Sequence, residues 1–378
     1  MNRFALTMLV IGLLLGASAS YGTLVGLHAL SQSSANCVLK PDANCLNVKL
    51  DGITDNGVNA TGSYTNQGQL VNDSFEHGDF AGSSLLNENF TGDNLQSANF
   101  SNSDLVGDDF NGANLTGADF AGADLSASSN ASDASFECSN LNYANFAGAN
   151  LKNANFSCSS SSSSSSHIFC NSGPAQYRCT TLISANFANA NLQGANMQGA
   201  FLQLANMQSA NLYVANLQGA NLQLVNLQGA ILMYAIATST TTFQCVQAAS
   251  ADFDRSSLSG ADFSCPSYIP GGTTNLQSAD FSYAVLKSTN FYGANLQSAN
   301  LQGASLQSAD LISANLQSAS LYTANLQSAS MYFAKLQSAD LRYADLHGTL
   351  VAYANMQGAL LPSCITLKPD YTVNTDTC

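Results

Sequence analysis

Large apolar residues recur at every fifth position from Leu276 to Leu361, eighteen times without a slip. The stretch reads NLQSA DFSYA VLKST NFYGA NLQSA NLQGA SLQSA DLISA NLQSA SLYTA NLQSA and continues in step. Two residues before each large residue sits a small one, nearly always Ala, and Asn, Asp or Ser stands between them. A period of five fits neither regular structure. On an α-helix, five residues advance about 500°, so the apolar column would wander over every face. On a flat strand, side chains alternate, and an odd period would point each Leu opposite to the last. The pattern resolves if the chain bends once per pentad, so that Leu and the Ala two before it face one axis together. The following pair, often Gln-Ser or Gln-Gly, then makes the corner, a place that Ser, Gly, Asn and Asp suit. Four bends close a coil of about 20 residues, and coils stack at about 4.8 Å, the strand spacing.

A coil of that size groups outward residues into columns. Gln277, Gln297, Gln317, Gln337 and Gln357 share one position in successive coils, so a Gln ladder with amides bonded up the stack is expected. Tyr292, Ile312 and Tyr332 recur at the same interval on another side. Asp104 and Asp124 would stack as a like-charge pair, read here as solvated corner carboxylates rather than as a cation site.

The repeated A(N/D)LXX motif resembles the pentapeptide-repeat family. That resemblance implies an all-β fold, a right-handed quadrilateral parallel β-helix, with the central Leu or Phe and the preceding Ala inside. It covers roughly Leu70 to Leu361 and says little about function, because one fold hosts many roles.

Along the chain, residues 1–19 read as a secretory signal: Arg3 gives a positive start, Phe4 to Ala17 is apolar, and Ala17-Ser18-Ala19 suits cleavage. Leu24 to Leu30 is apolar again, which leaves a retained hydrophobic anchor as the alternative. Residues 20–69 lie outside the repeat and are expected to cap the first coil, since a solenoid must cover its open end. Residues 70–361 form the β-helix, with loops at 157–180, where Ser159 to Ser166 is an unbroken Ser run, and at 264–275. The step from Leu125 to Phe136 is eleven residues, read as two pentads plus a one-residue bulge near Ser128 to Ser132, and a second such step joins Leu232 to Phe243. Pro362 ends the repeat, and 362–378 is expected to cap the C-terminal end.

The ten cysteines pair without remainder. Cys138 and Cys158 lie 20 apart, each two residues after a Phe, and Cys245 and Cys265 repeat the arrangement. Stacked coils would bring each pair within disulfide range. Proximity pairs Cys37 with Cys45, Cys170 with Cys179, and Cys364 with Cys378. With the signal, this places the protein in an oxidising, extracytoplasmic setting, secreted or at the cell surface. Metal is the rival reading, but no CxxC occurs and the four His are scattered.

Charge and motifs then narrow the function. Only 9% of residues are charged and the net charge is −14. Of the 24 acids, 15 precede Cys138, and no basic patch offers a nucleic-acid footprint. No nucleophile elbow, zinc, Walker or dinucleotide motif is present, so neither catalysis, nor a cofactor, nor a metal is expected. Sequons for N-glycosylation stand at Asn59, Asn72, Asn89, Asn99, Asn114, Asn130 and Asn155. These features point to a structural protein, not an enzyme: a filament or surface-layer subunit whose partners are copies of itself and cell-surface components, with membrane contact only through a retained N-terminus. One alternative is a glycan-binding module using Tyr283, Tyr292, Tyr322, Tyr332, Tyr343 and Tyr353. The other is an acidic DNA mimic, a role that some pentapeptide-repeat proteins play against topoisomerases. Against the mimic, Leu276 to Leu361 carries only Asp280, Asp310, Asp340 and Asp345, offset by Lys287, Lys335 and Arg342.

Overall fold

The computed structural model describes residues 44–46, 49–51, 64–66, 69–71, 73–126, 134–157, 179–270 and 272–363. The chain divides into two compact units, Met1–Asn36 and Cys37–Cys378, and the first lies outside the described residues, as do the expected signal and the tail from Cys364. Within the second unit, β1 (Asn44–Leu46), β3 (Tyr64–Asn66) and β5 (Ser84–Leu86) pair in parallel, with Cys45, Thr65 and Leu85 in register. Strand β2 (Lys49–Asp51) pairs likewise with β4 (Gln69–Val71). Among the described residues the in-register ladder therefore reaches back to Asn44, inside the segment read as a cap.

Beyond β5 the ladder consists of single parallel bridges, in most coils between residues 20 apart, such as Asn94↔Asn114 and Asn300↔Ser320. Four columns of bridges run along the coil. Side 1 passes through Asn94, Asn114 and Asn140 to Leu350, and side 2 through Asn99 and Asp119 to Asn355. Side 3 passes through Asp104 and Asp124 to Leu360, and side 4 through Asn89 and Asp109 to Asp345. A corner follows each side.

Each pentad repeats one set of bonds. The central residue donates its N–H to the next coil, as Leu296 does to the Asn315 carbonyl at 2.8 Å, and its own carbonyl accepts from the residue three on, Ala299, at 3.0 Å. The residue two after the centre has a positive φ, for example 59° at Ser298 and 58° at Ser318. An i to i+3 bond with φ > 0 at its third residue is a type II turn. The Asn or Asp before the centre closes an Asx turn, its Oδ1 accepting the N–H two residues on, as Asn145 does from Ala147 at 3.2 Å. Thus the small, Asn/Asp, large, polar, Ser/Gly order is a list of backbone demands.

Four insertions perturb the register. Between sides 3 and 4 of one coil, bridges such as Asp124↔Asn150 are 26 apart, six more than the usual 20. The eleven-residue step from Leu125 to Phe136 is one pentad with a six-residue insert, which corrects the expected one-residue bulge near Ser128 to Ser132. The second eleven-residue step does contain a single extra residue: bridges such as Asn226↔Gln247 are 21 apart, and Ala237 takes the intervening central site. That bulge needs a glycine above it. A Cβ on Gly260, whose φ is +73°, would stand 2.7 Å from the Ser239 Cβ. Bridges spaced 41 apart (Asn145↔Asn186) and 28 apart (Asp252↔Asp280) mark the two longer loops.

Central residues and their small partners are almost completely buried. The Phe residues form ladders. Phe80, Phe100, Phe120, Phe146 and Phe187 stack along side 2 with centroids 4.8–5.1 Å apart. Phe90, Phe110, Phe136 and Phe156 stack along side 4 at 4.8–5.2 Å. The two ladders meet edge to face, as at Phe136–Phe146 (5.9 Å, 85°). After an interval of Leu and Met, a second pair of ladders occupies sides 1 and 3 instead: Phe243, Phe263 and Phe291 against Phe253 and Phe281. A coil core is one layer thick, so the bulk of opposed Phe must be balanced by Leu on the other two sides. Phe146 touches four other rings. Phe146→Ala is expected to lower stability by about 3–5 kcal/mol, read as a fall in the denaturant midpoint; an unchanged midpoint would contradict the ladder.

Candidate functional site

The left-handed corner position is where sides differ. After sides 2 and 4 it holds only Gly, Ser, Asn or Cys wherever its positive φ is seen, from Gly82 and Asn102 to Ser338 and Gly358 and from Gly92 and Cys138 to Gly348. After sides 1 and 3 it also holds Tyr143, Leu204, Leu224, Phe333 and Tyr353, and Val214, Tyr234, Arg255, Tyr283 and Tyr343. A side chain beyond Gly or Asn in this conformation costs roughly 1 kcal/mol or more, and a β-branched one such as Val214 (φ 59°) is an outlier. These side chains are exposed, to 75% at Tyr353 and 72% at Tyr343. Strain without burial has no folding rationale, which marks the two alternate corners as functional surface.

The corner after side 3 is also internally organised. Tyr213 meets Tyr234 edge to face at 5.7 Å. The Arg255 guanidinium lies between Tyr234 (5.9 Å) and Tyr283 (5.5 Å) and donates to the Tyr234 hydroxyl at 3.3 Å. Tyr283 lies over Gly303, where any Cβ would approach its ring to 2.8 Å. Arg342 covers Tyr322 at 5.7 Å, and Tyr322 meets Tyr343 at 5.3 Å. Each arginine is also paired with a neighbouring acid, Arg255 with Asp254 at 3.2 Å and Arg342 with Asp340 at 2.7 Å. The Arg342 hydrogen bonds hold Asp340 below its ordinary carboxylate value. The ridge is therefore close to charge-neutral.

The tyrosines singled out in the sequence thus divide. Tyr283, Tyr322 and Tyr343 belong to the corner after side 3, and Tyr292, Tyr332 and Tyr353 to the corner after side 1. The aliphatic members of the edges and Arg255 were missed, although each stands two residues after a centre where Ser or Gly is the rule. The expected Gln ladder does not form: among the described residues no side-chain hydrogen bond links Gln277, Gln297, Gln317, Gln337 and Gln357. The amide ladder is made by Asn and Asp, as in Asn145 to Asp119 (3.0 Å), Asn186 to Asn145 (2.9 Å), Asn206 to Asn186 (3.1 Å) and Asn226 to Asn206 (3.0 Å). The shorter side chain sits on the bridge itself, where neighbours are one strand spacing apart, whereas these Gln sit at the corner.

Acids form a second feature. Asp73, Glu88, Asp93 and Asp108 take the inward small site and are buried. The Glu88 N–H donates to Asp108 Oδ1 at 2.8 Å, and the Asp73 N–H to Asp93 Oδ1 at 2.8 Å. Burial, above all, drives the Asp108 carboxyl well above its ordinary value of 3.8, opposed by the Glu88 N–H and reinforced by repulsion from Glu88, Asp104 and Asp109. Asp104 and Asp124 stand in register as expected, and burial raises Asp104 above 3.8, against the Val106 N–H and with a further push from Asp124. Among the described residues no group of His, Cys, Asp or Glu is placed to hold a metal ion.

Cys245 and Cys265 form a disulfide with Cα atoms 4.6 Å apart. Cys138 and Cys179 are each disulfide-bonded, while Cys37, Cys158, Cys170, Cys364 and Cys378 lie outside the described residues, as do the sequons at Asn59, Asn72 and Asn130. The amide nitrogens of three further sequons are engaged: Asn99 donates to Asp79 (3.0 Å), Asn114 to Asn94 (3.0 Å) and Asn155 to Glu137 (2.8 Å).

Two predictions follow from these groups. A raised Asp108 value means that the folded state favours the protonated form, so this contribution is full below about 3.8 and is lost as pH rises towards the folded value. Asp108→Asn keeps the acceptor for Glu88 and is expected to be more stable than the parent at pH 8 and no more stable at pH 4; equal midpoints at pH 8 would refute the burial argument. Non-reducing peptide mapping is expected to recover Cys245 linked to Cys265 and unmodified Asn99, Asn114 and Asn155; a glycan on these would require the amide ladder to open there.

Comparison with known proteins agrees with the coil. The family profile for pentapeptide repeats matches in eight copies, at residues 94–129, 127–157, 185–223, 210–240, 274–307, 304–342 and 329–365. No curated protein matches the sequence. Among solved structures, HetL, a pentapeptide repeat protein involved in heterocyst differentiation regulation from the cyanobacterium Nostoc sp. strain PCC 7120, is 25% identical, covering 72% of this chain and 91% of its own, with a TM-score of 0.34. QnrB1, a plasmid-mediated fluoroquinolone resistance protein, is 20% identical over 63% of this chain and 91% of its own, with a TM-score of 0.29. A pentapeptide repeat protein from the Arabidopsis thaliana thylakoid lumen is 28% identical over 32% of this chain and 59% of its own, with a TM-score of 0.19. The family match extends over more than half of the sequence, and the chain belongs to the pentapeptide repeat family, whose fold is a right-handed β-helix.

Proposed function

We propose that this protein is a secreted or cell-surface structural protein that assembles with copies of itself, as a subunit of a filament or surface layer. One observation carries the reading: among the described residues, bulky side chains are held in left-handed backbone at two alternate corners, over many coils, and not at the other two. Two such corners lie on opposite sides of a coil with four corners, so each subunit offers two contact edges, which is what an extending array requires. A charged fraction of 9% lowers the repulsion between copies, and the Cys245–Cys265 disulfide suits an oxidising compartment. In this reading the coil is four-sided in section, and the segment after Pro362 closes its C-terminal end. The family generally supplies non-catalytic scaffolds, and the chain acts as one.

A second reading, a glycan-binding edge, draws support from the near-neutral tyrosine and arginine ridge after side 3, since aromatic faces suit sugar stacking. The DNA-mimic reading draws little, because Asp254 and Asp340 are already paired with arginines. Sedimentation velocity and negative-stain microscopy of the purified protein test the proposal. Concentration-dependent growth into fibres or sheets is expected; a strict monomer up to millimolar concentration would overturn it, and retention on an oligosaccharide array by that monomer would favour the glycan reading.

A further inference from the structure

We infer that the two strained edges are complementary halves of one interface. The corner after side 3 of one copy packs, parallel and level by level, on the corner after side 1 of a second copy, on either side of the loop at 264–275 that leaves the coil at the corner after side 1. The inference rests on the self-assembly reading and names its geometry.

The evidence is the height at which each edge carries its features. Corners after sides 1 and 3 of the same coil are ten residues apart, half a coil, which is about 2.4 Å along the axis. Sliding a copy sideways without rotation therefore brings equivalent levels of the two edges together. At the level where one edge carries Val214, the other carries Leu204, both exposed and both at positive φ (59° and 63°). At the level of Gly303 on the side 3 edge, which the Tyr283 ring covers, the side 1 edge projects Tyr292, which is half exposed. Where the side 3 edge carries Arg342 over an aromatic ring, the side 1 edge carries Phe333, stacked on Tyr353 at 5.1 Å. Apolar meets apolar, aromatic meets aromatic, and a cation meets an aromatic face.

Charge gives the pairing its direction. Among these strained corner positions, the arginine belongs to the side 3 edge, Arg255, and a second arginine, Arg342, precedes Tyr343 on that same edge. The side 1 edge has aromatic and aliphatic side chains there and no cation from Tyr143 to Tyr353. Like edges would set Arg342 against Arg342, whereas unlike edges set Arg342 against the ring of Phe333, the favourable cation–π arrangement. A head-to-tail contact of unlike surfaces without rotation does not close, so it propagates instead of stopping at a dimer.

The test uses the full chain. Val214→Cys and Leu204→Cys place a thiol at the same left-handed turn position that Cys138 (φ 60°) and Cys245 (φ 55°) already occupy, so the backbone accepts them. Each variant alone, an equimolar mixture, and the double variant are treated with a short bismaleimide and run on a reducing gel, with sedimentation velocity in parallel. The inference expects covalent dimer in the mixture several-fold above either variant alone, and a ladder of trimers and longer products from the double variant. Strong cross-linking of a single variant to itself would mean like edges pair, and would overturn it. Sedimenting assemblies without any cross-link would place the contact elsewhere, overturning the geometry while leaving self-assembly standing. No sedimenting assembly at all would overturn both. A second measurement guards against misfolding: Val214→Gly relieves the corner and is expected to keep or raise the melting temperature while reducing assembly; reduced melting temperature with unchanged assembly would contradict the assignment.

Discussion

Everything in this fold hangs on one backbone position, the third residue of the turn that ends each pentad. It must be left-handed for the chain to bend, and the bend must recur every five residues for the bridges to stay 20 apart. Because the bends hold all the central side chains on one axis, the core is a single file of Leu and Phe, and because the axis is narrow, Phe can stack only on two opposed sides at a time. The Asn/Asp ladder and Asx turns then fix the sides between bends. Gly fills many corners because it tolerates φ > 0 at small cost, and Ser, with a small polar side chain, fills most of the others.

Against that background the exceptions carry the information about function. A chain that has found Ser, Gly or Asn for every corner after side 2 has no folding reason to use Val, Leu, Tyr or Phe after sides 1 and 3. Exposed aromatic surface is stabilising only when something covers it. The same logic separates the acids. Carboxylates on the bridge columns accept turn N–H groups and are part of the architecture, whereas Asp108 occupies a site where Ala is usual and is driven towards its neutral form by burial.

Much of this was legible in the residues. Five is a period that only a regularly bent chain can use, so the coil, its size and the adjacency of Cys245 and Cys265 follow from spacing. Three things did not. The step from Leu125 to Phe136 has the same length as the step from Leu232 to Phe243, yet one is a six-residue insert and the other a single extra residue, because length alone cannot say whether an intervening residue is inward. Ala237 is inward in the second case. Among the described residues the ladder reaches back to Asn44, because backbone pairing tolerates Cys45 and Thr65 at positions where the repeat elsewhere has Leu or Phe. And Gln, though more conspicuous in the sequence, loses the ladder to Asn, since the bridge column in most coils holds Asn or Asp while Gln stands at the corner.

The most direct measurement compares two substitutions at one exposed corner. Gln317 and Ser318 are adjacent and both exposed, but only Ser318 has a positive φ, 58°. If the left-handed corner governs the fold, Ser318→Val should lower the unfolding free energy, because a β-branched side chain is an outlier in left-handed backbone, while Gln317→Val should leave it nearly unchanged. Equal effects, or a larger loss at Gln317, would contradict the account.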